Sequence, residues 1–246
     1  LERAGELIAG VTKSRTCAVI TDATVEKLYA AVVCRSLQEA GFQVCLHAFP
    51  AGEQSKRLGT FGGMLEFLAE NKLTRSDFVV ALGGGVTGDM AGFAAAAYQR
   101  GIDYIQIPTT FLAASDSSVG GKTAVDLAAG KNLAGAFHQP KMVICDTDAF
   151  RTLPEETFAD GVAETVKHGL IADKDFYHFL MTEDIHARID EVVRRNVEIK
   201  AAVVGEDERE RGRRKLLNFG HTLGHAIEKC SGYTVSHGRA VAVGMV

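Results

Sequence analysis

"DFVVALGGGVTGDMAGFAAAAYQRG", residues 77–101, decides the fold. Five apolar residues, 78–82, form a run suited to a strand buried on both faces. Three glycines follow at once, and then a helix of small residues. A buried strand that passes through glycines into a helix is the repeating unit of a parallel α/β sheet. Working outward, "CAVIT" (17–21), "QVCLHAF" (43–49), "DYIQIP" (103–108) and "MVICD" (142–146) read as the other strands. Between them, "TVEKLYAAVVCRSLQEAG" places Val25, Leu28, Tyr29, Val32 and Leu37 on one helical face and stops at Gly41. "SKRLGTFGGMLEFLAENK" does the same with Leu58, Phe61, Leu65 and Leu68.

After Asp148 the pattern changes. Segments 153–171, 173–181, 189–210, 214–230 and 237–246 all carry helical periodicity, and none reads as a strand. The sequence thus predicts an α/β domain over 1–152 and an all-α domain over 153–246, opened by Pro154. The mixed charges of "EDERERGRR" (206–214) read as a solvated turn between helices. The 246 residues suffice for one large or two modest cores.

Apolar residues make up 46% and charged residues 24%, an ordinary globular composition. A net charge of -4 gives no basic footprint for nucleic acid. No apolar run approaches the roughly 18 residues that span a bilayer, so no membrane partner is expected. The first residues, "LERAGELIAG", lack a signal-peptide layout and an initiator Met, and "RAVAVGMV" stops inside a helical pattern. Both ends read as cut from a longer chain. Five cysteines, widely spaced and without a Cys-x-x-Cys, imply neither a disulfide framework nor a thiolate zinc site. A reducing cytoplasm is the expected location.

Three stretches carry chemistry. Gly83-x-Gly85-x-x-Gly88 has the spacing of a dinucleotide fingerprint, in which glycines let a pyrophosphate reach a helix N-terminus. It follows the third strand rather than the first, and a tight turn alone would also ask for glycine. Polar loops at the carboxyl ends of neighbouring strands, "TDAT" (21–24), "PAGEQSK" (50–56) and "PTT" (108–110), favour a bound nucleotide. "SDSSVGGKTAVDLAAGKN" (115–132) joins two parts of the sheet with glycines, hydroxyls, Lys122, Lys131 and Asn132. It does not satisfy Walker spacing, and reads as an anion pocket with Asp116 available for hydroxyls. Finally, His221 and His225 share a helix face, and "AETVKHG" offers Glu164, Lys167 and His168 on another. One Glu with two His makes a zinc set with an open position; spacing leaves open whether His225 or His237 completes it. Lys167, Lys200, Arg214 and Asn218 would crowd cations and a donor around the same region, a costly arrangement without an anionic ligand.

Together, "GGGVTGDMAGFAAAAYQRG", "IPTTFLAASDSSVGGKTAVD", "GKNLAGAFHQP", "GVAETVKHGLI" and "LLNFGHTLGHAIE" followed by "HG" resemble the 3-dehydroquinate synthase family of sugar phosphate cyclases, from about Cys17 to Val246. The resemblance implies a Rossmann-like NAD-binding α/β domain followed by an α-helical metal-binding domain. It implies zinc or cobalt on Glu164, His221 and His237, with His225 left to contact substrate or handle protons. NAD contacts would fall on Asp22, Glu53, Lys56, Gly84, Gly85, Asp89, Thr109, Thr110, Lys122, Lys131 and Thr152. Substrate contacts would fall on Asp116, Lys122, Asn132, Lys167, Lys200, Arg214, Asn218 and His225, with Arg100 reaching a neighbouring subunit of a homodimer. The implied reaction is cyclisation of a sugar-acid phosphate, 3-deoxy-D-arabino-heptulosonate 7-phosphate, to 3-dehydroquinate with loss of phosphate. NAD is reduced and reoxidised within each turnover. Lys122, Asn132 and His225 would handle phosphate, and Lys200 with Arg214 the carboxylate. One departure from the family pattern is Arg239, where Glu often follows the histidine-glycine pair.

Three rivals remain at this level. A metal-dependent polyol dehydrogenase shares the layout but usually begins its ligand set with Asp. A sister cyclase, such as a 2-deoxy-scyllo-inosose or epi-valiolone synthase, would not need the carboxylate pair Lys200 and Arg214. A metal-free binding module would hold no ion.

Overall fold

The computed structural model describes residues 1–208 and 210–246. They form two compact units, Leu1–Thr109 with Gly121–Asp146, and Thr110–Gly120 with Thr147–Val246. Where the sequence pattern suggests one break at 152/153, the observed break lies at 146/147, and the segment 110–120 belongs with the helices.

The first unit runs α1 (Ala4–Ala9), β1 (Thr16–Asp22), α2 (Ala23–Val25), α3 (Ala31–Glu39), β2 (Gln43–Phe49), α4 (Leu58–Glu70), β3 (Phe78–Gly83), α5 (Gly85–Ala97), β4 (Asp103–Pro108), β5 (Lys122–Leu127), β6 (Gly130–Phe137) and β7 (Met142–Val143). Its main sheet has the order β2-β1-β3-β4-β7 and is parallel throughout. All six residues of β3 are buried, as a strand covered on both faces requires. Strand alternation divides the core cleanly. Cys17, Val19, Phe78, Val80, Leu82, Ile105 and Ile107 pack with α1 and α3. Ala18, Ile20, Val79, Ala81 and Tyr104 pack with Met64 and Leu68 of α4 and the alanines of α5. Each large side chain so buried contributes about 1.5–3 kcal/mol.

Two helical faces differ from expectation. Leu28 is 46% exposed, whereas Val25, Ala30, Val33 and Leu37 are buried. The cause is a π-helical turn, Glu26–Ala30, between α2 and α3. Its extra residue per turn rotates everything after it away from a single 3.6-residue period. Leu58 is likewise exposed, because it is the first residue of α4 and precedes the buried stripe of Met64 and Leu68.

The stretch expected to be a loop, 115–132, is only partly so. Residues 122–137 form the antiparallel hairpin β5–β6, a separate two-stranded sheet. Its strands are built largely of Ala, Gly and polar residues, which hides their alternation. Register shifts at Asp126, between Val125 and Leu127. The Asp126 amide donates to the Lys56 carbonyl (2.9 Å), and its carboxylate accepts from the Asn132 amide (2.7 Å).

The second unit contains a π-helical turn (Ala113–Ser117), a 3-10 turn (Thr147–Thr152), α6 (Glu155–Ala172), α7 (Lys174–Thr182), α8 (Ile189–Glu206), a 3-10 turn (Arg213–Asn218), α9 (His221–Cys230) and α10 (His237–Gly244). The segment read as one helix over 214–230 is therefore broken at Phe219–Gly220, where Gly220 takes φ 81°. The expected charged turn, 206–214, includes Arg209, which lies outside the described residues. Phe111 stacks on Phe158 with ring centroids 4.8 Å apart, which packs the 110–120 segment onto α6. Asp173 caps α7 through the Phe176 amide (2.8 Å) and pairs with Arg195 (3.0 Å). Among the described residues no helix is long and apolar enough to cross a membrane, and none of the five cysteines is in a disulfide.

Candidate active site

In the second unit, buried ionisable groups concentrate on one set of helix faces, an arrangement that stability alone disfavours. Glu164, Lys167 and His168 on α6 and Lys200 on α8 are all buried, together with Arg214 and Glu228. Spacing of three and four residues puts Glu164, Lys167 and His168 on the same side of α6. Lys167 donates to Glu164 Oε2. The other oxygen, Oε1, is buried without a hydrogen bond. Two imidazole nitrogens face it without hydrogen-bond alignment: His237 Nε2 at 3.2 Å and His221 Nε2 at 3.5 Å.

Those two histidines open their helices, His221 at the start of α9 and His237 at the start of α10. Asp160 of α6 anchors α10 by accepting from Ser236 Oγ (2.6 Å) and the Gly238 amide (3.0 Å). A Cβ on Gly238 would stand 2.3 Å from the Asp160 Cα, so only glycine allows the two backbones to meet there. One ligand atom each from Glu164, His221 and His237 lies within 4.8 Å of the others. An orphaned carboxylate oxygen faced by two imidazole nitrogens is the donor set of a divalent cation site, and it fits zinc or cobalt equally.

His225, Glu228 and His237 form a second such group. Here, however, the carboxylate already supports imidazoles. Glu228 Oε2 accepts from His225 Nδ1 (2.7 Å), and Oε1 stands 3.5 Å from His237 Nδ1. A carboxylate behind a metal-binding imidazole sets its tautomer and orientation. Glu228 and Asp160 were not singled out from sequence. The signal for Glu228 was its position, three after His225 and seven after His221, on the same face of α9.

Charges follow from this packing. Burial works to raise the Glu164 carboxyl, but the approach of His237, then Lys167 and His221, outweighs it and holds the group at about 2. Burial pulls the His237 imidazole down, yet Glu164 and Glu228 outweigh it and raise the group to about 9. Burial lowers the His221 imidazole despite Glu164.

Asp116, on the π-helical turn, is held from α8 and α6. Lys200 Nζ lies 2.8 Å from Asp116 Oδ1 and donates to its backbone carbonyl (2.6 Å). His168 Nε2 stands 3.3 Å from the same Oδ1. Burial opposes ionisation of Asp116, but Lys200, then Lys167 and His168, hold its carboxyl well below the usual carboxylate range. Arg214 donates to the carbonyls of Gly120 (2.9 Å) and Glu208. Asn218 is exposed and donates to Glu210 (2.7 Å). Thr110 caps its own turn through the Ala113 amide (3.2 Å), and exposed Thr152 donates to the Ala149 carbonyl (3.2 Å).

In the first unit the remaining candidates gather at strand carboxyl ends. Because β2 and β3 flank β1 on opposite sides, the chain reverses its direction of growth between β1 and β3, where open α/β sheets place ligands. This explains how glycines after the third strand can serve. Gly84 opens α5 without a side-chain cap, so the first amides of that helix are available to an anion. Gly83 packs so tightly on α5 that a Cβ would lie 2.5 Å from Thr87 Oγ1. The Thr109 hydroxyl is buried without a partner. Asp22 caps α2 through the Thr24 and Val25 amides. Lys56 bridges Asp89 (2.6 Å) and Asn132 (2.5 Å), and Lys131 pairs with Glu53 (3.0 Å). Burial works against the charge of Lys56, but Asp89 outweighs it and the ammonium is raised. Lys122 is exposed at the start of β5. Arg100 is exposed with φ 68°.

Comparison with known proteins gives a consistent picture. Residues 46–160 match the model described as 3-dehydroquinate synthase N-terminal, and residues 161–246 match 3-dehydroquinate synthase C-terminal. The chain is 47% identical over 251 residues to a 3-dehydroquinate synthase of Enterococcus faecalis, spanning all of this chain and 70% of that one. Among solved structures it is similar to a 2-deoxy-scyllo-inosose synthase complexed with carbaglucose-6-phosphate, NAD+ and Co2+. The TM-score is 0.90 and the identity 32%, over 98% of this chain and 69% of that one. It is also similar to a 2-epi-5-epi-valiolone synthase from Streptomyces hygroscopicus with NAD+ and Zn2+ bound. There the TM-score is 0.85 and the identity 26%, over 97% and 68% of the two chains.

Proposed function

The chain belongs to the 3-dehydroquinate synthase family and is a carbon-oxygen lyase that closes a carbocycle; from that premise we propose which of its residues do the work. The reaction converts 3-deoxy-D-arabino-heptulosonate 7-phosphate to 3-dehydroquinate and phosphate. Its rivals, a polyol dehydrogenase and a sister cyclase, are not favoured by the relatives at 47–49% identity.

The observation that carries the proposal is the buried Oε1 of Glu164, unpaired and faced by His221 and His237. These three residues would hold a divalent zinc or cobalt ion, whose chemistry is Lewis-acid polarisation of a sugar oxygen. Glu228 and Asp160 keep His237 in place. Lys167 would neutralise the Glu164 carboxylate through Oε2. Asp116 accepts a hydrogen bond from a substrate hydroxyl. Lys200 spends two of its three protons on Asp116 and keeps one for the substrate carboxylate. Arg214 would join it there.

The first unit would hold NAD, which supplies a hydride acceptor and then a hydride donor. The amides that open α5 beyond Gly84 and Gly85 suit its pyrophosphate, and the orphaned Thr109 hydroxyl and Asp22 suit its polar edges. Glu53, Lys56, Asp89, Lys122 and Lys131 complete the proposed contacts of this unit. Lys122 and Asn132 are proposed to handle phosphate; within the second unit, His225 is proposed to contact substrate. A homodimer with Arg100 reaching the neighbour, and a cytoplasmic location suited to five cysteines outside any disulfide, belong to the same reading.

The test is phosphate release from the heptulosonate phosphate, with and without chelator and NAD. Activity should vanish with chelator and return with zinc or cobalt. Release that survives both chelation and Glu164→Ala would overturn the metal assignment.

A further inference from the structure

The two ring nitrogens of His237 face two different carboxylates. Nε2 stands 3.2 Å from Glu164 Oε1, and Nδ1 stands 3.5 Å from Glu228 Oε1. Through its other oxygen, Glu228 accepts from His225 Nδ1 at 2.7 Å. One ligand atom each from His225, Glu228 and His237 lies within 4.8 Å of the others, as in the group built on Glu164. The donor chemistry is also the same, one carboxylate with two imidazoles. Ligands at about 2.0–2.1 Å around a tetrahedral ion stand about 3.3 Å from one another. His237 Nδ1 and Glu228 Oε1 are close to that spacing already. His225 Nδ1 must draw back from Glu228 by about 0.6 Å to reach it. The His225 side chain is free to do so, being 53% exposed, and the same exposure opens the group to ions from solvent. The rings of His221, His225 and His237 have their centroids 5.3–5.9 Å apart, so this outer group adjoins the inner one directly.

We propose that His225, Glu228 and His237 Nδ1 form a second divalent-cation site outside the one on Glu164, with His237 bridging the two, and that an ion there blocks turnover by occupying His225. The outer ion binds more weakly than the inner one for two reasons. It must replace the protons that the imidazoles share with Glu228, and it must move His225. Zinc in excess is then an inhibitor of the protein that its first equivalent activates. The blocking role rests on the substrate contact proposed for His225; the site itself does not.

Three measurements test it. Equilibrium dialysis of the full chain against rising zinc should give about two ions per chain, the second about tenfold weaker or more, and His225→Ala should keep about one. A single ion at saturation in the unsubstituted chain, or two in His225→Ala, overturns the site. A cobalt titration followed by electron paramagnetic resonance needs no variant. Two cobalt ions joined through the His237 ring couple magnetically, so the signal of the first equivalent should shrink as the second enters. A second equivalent that adds its full signal overturns the bridge. In turnover, phosphate release should fall about tenfold or more over the zinc range in which the second ion binds. Undiminished release with both ions bound overturns the blocking role. The two readings fail separately. A single ion that is lost in Glu164→Ala removes only the outer site, whereas two coupled ions on a chain that never releases phosphate remove the reaction, and with it the blocking role, and leave the site.

Discussion

Replacing Gly238 with alanine puts a methyl group where the backbone of α6 already stands. The added Cβ would lie 2.3 Å from Asp160 Cα, 2.6 Å from its carbonyl oxygen and 2.8 Å from its carbonyl carbon. Carbon atoms pack at about 3.5 Å, so α10 must retreat from α6 by about 1 Å. All three atoms are backbone, so none can swing away. His237 adjoins Gly238 and Glu164 belongs to α6, so the retreat opens the 3.2 Å approach of His237 Nε2 to Glu164 Oε1. Metal sites tolerate about 0.2 Å. Zinc affinity should therefore fall about 100-fold or more, and stability by about 1–3 kcal/mol. Gly205→Ala is the control, since a Cβ on Gly205 meets nothing within 4 Å. Chelator-competition titration reads the affinity, and thermal melting followed by circular dichroism reads the stability. Gly238→Ala with unaltered zinc affinity would refute the reasoning, because α10 would then not deliver a ligand from this contact.

Other outcomes are expected. In the metal-free protein His237, raised to about 9, holds its proton at pH 7, while His221, lowered by burial, is neutral. Zinc uptake at pH 7 should release about one proton, and affinity should weaken as pH falls below 9; calorimetry in buffers of different ionisation heat counts the protons. Glu228→Gln, which keeps the volume and removes the charge behind His225 and His237, should weaken zinc binding about 10–100-fold in a chelator competition, with the melting curve little changed. Lys200→Met leaves the Asp116 carboxylate without its 2.8 Å partner and should destabilise the protein by about 3 kcal/mol in urea unfolding. Adding Asp116→Asn to that variant should recover part of the loss.

The strands of the main sheet were legible because burial on both faces leaves unbroken apolar runs; β2 and β4 begin and end where the sequence places them. The hairpin was not, since "KTAVDL" and "GKNLAGAF" carry little side-chain contrast. Leu28 was misplaced because a π-helical turn leaves no mark in a 3.6-residue period. For the candidate site, residue types and spacing narrowed the metal set to Glu164, His221 and one of two histidines, and the resemblance chose between them. The supports were harder to see. Asp160 acts on a helix 76 and 78 residues later in the chain, through Ser236 and the Gly238 amide, and a separation of that size has no local signature. Asn196, which meets His168 Nδ1, lies 28 residues away in the chain, and its amide is turned by the Val192 carbonyl.

The segment 110–120 gives the chain an unusual itinerary: it leaves the sheet unit, contributes to the helical one, returns for the hairpin, and crosses again at 146/147. During synthesis, Asp116 and Gly120 leave the ribosome long before Lys200 and Arg214, the partners they will receive. The helical unit cannot be liberated by one cut at 146/147. A fragment beginning at Thr147 would carry an ammonium and a guanidinium stripped of the carboxylate and carbonyl that accept their protons. Its assembly is thus a closing act that awaits both stretches, and a split version of this enzyme would need residues 110–120 supplied with the helices.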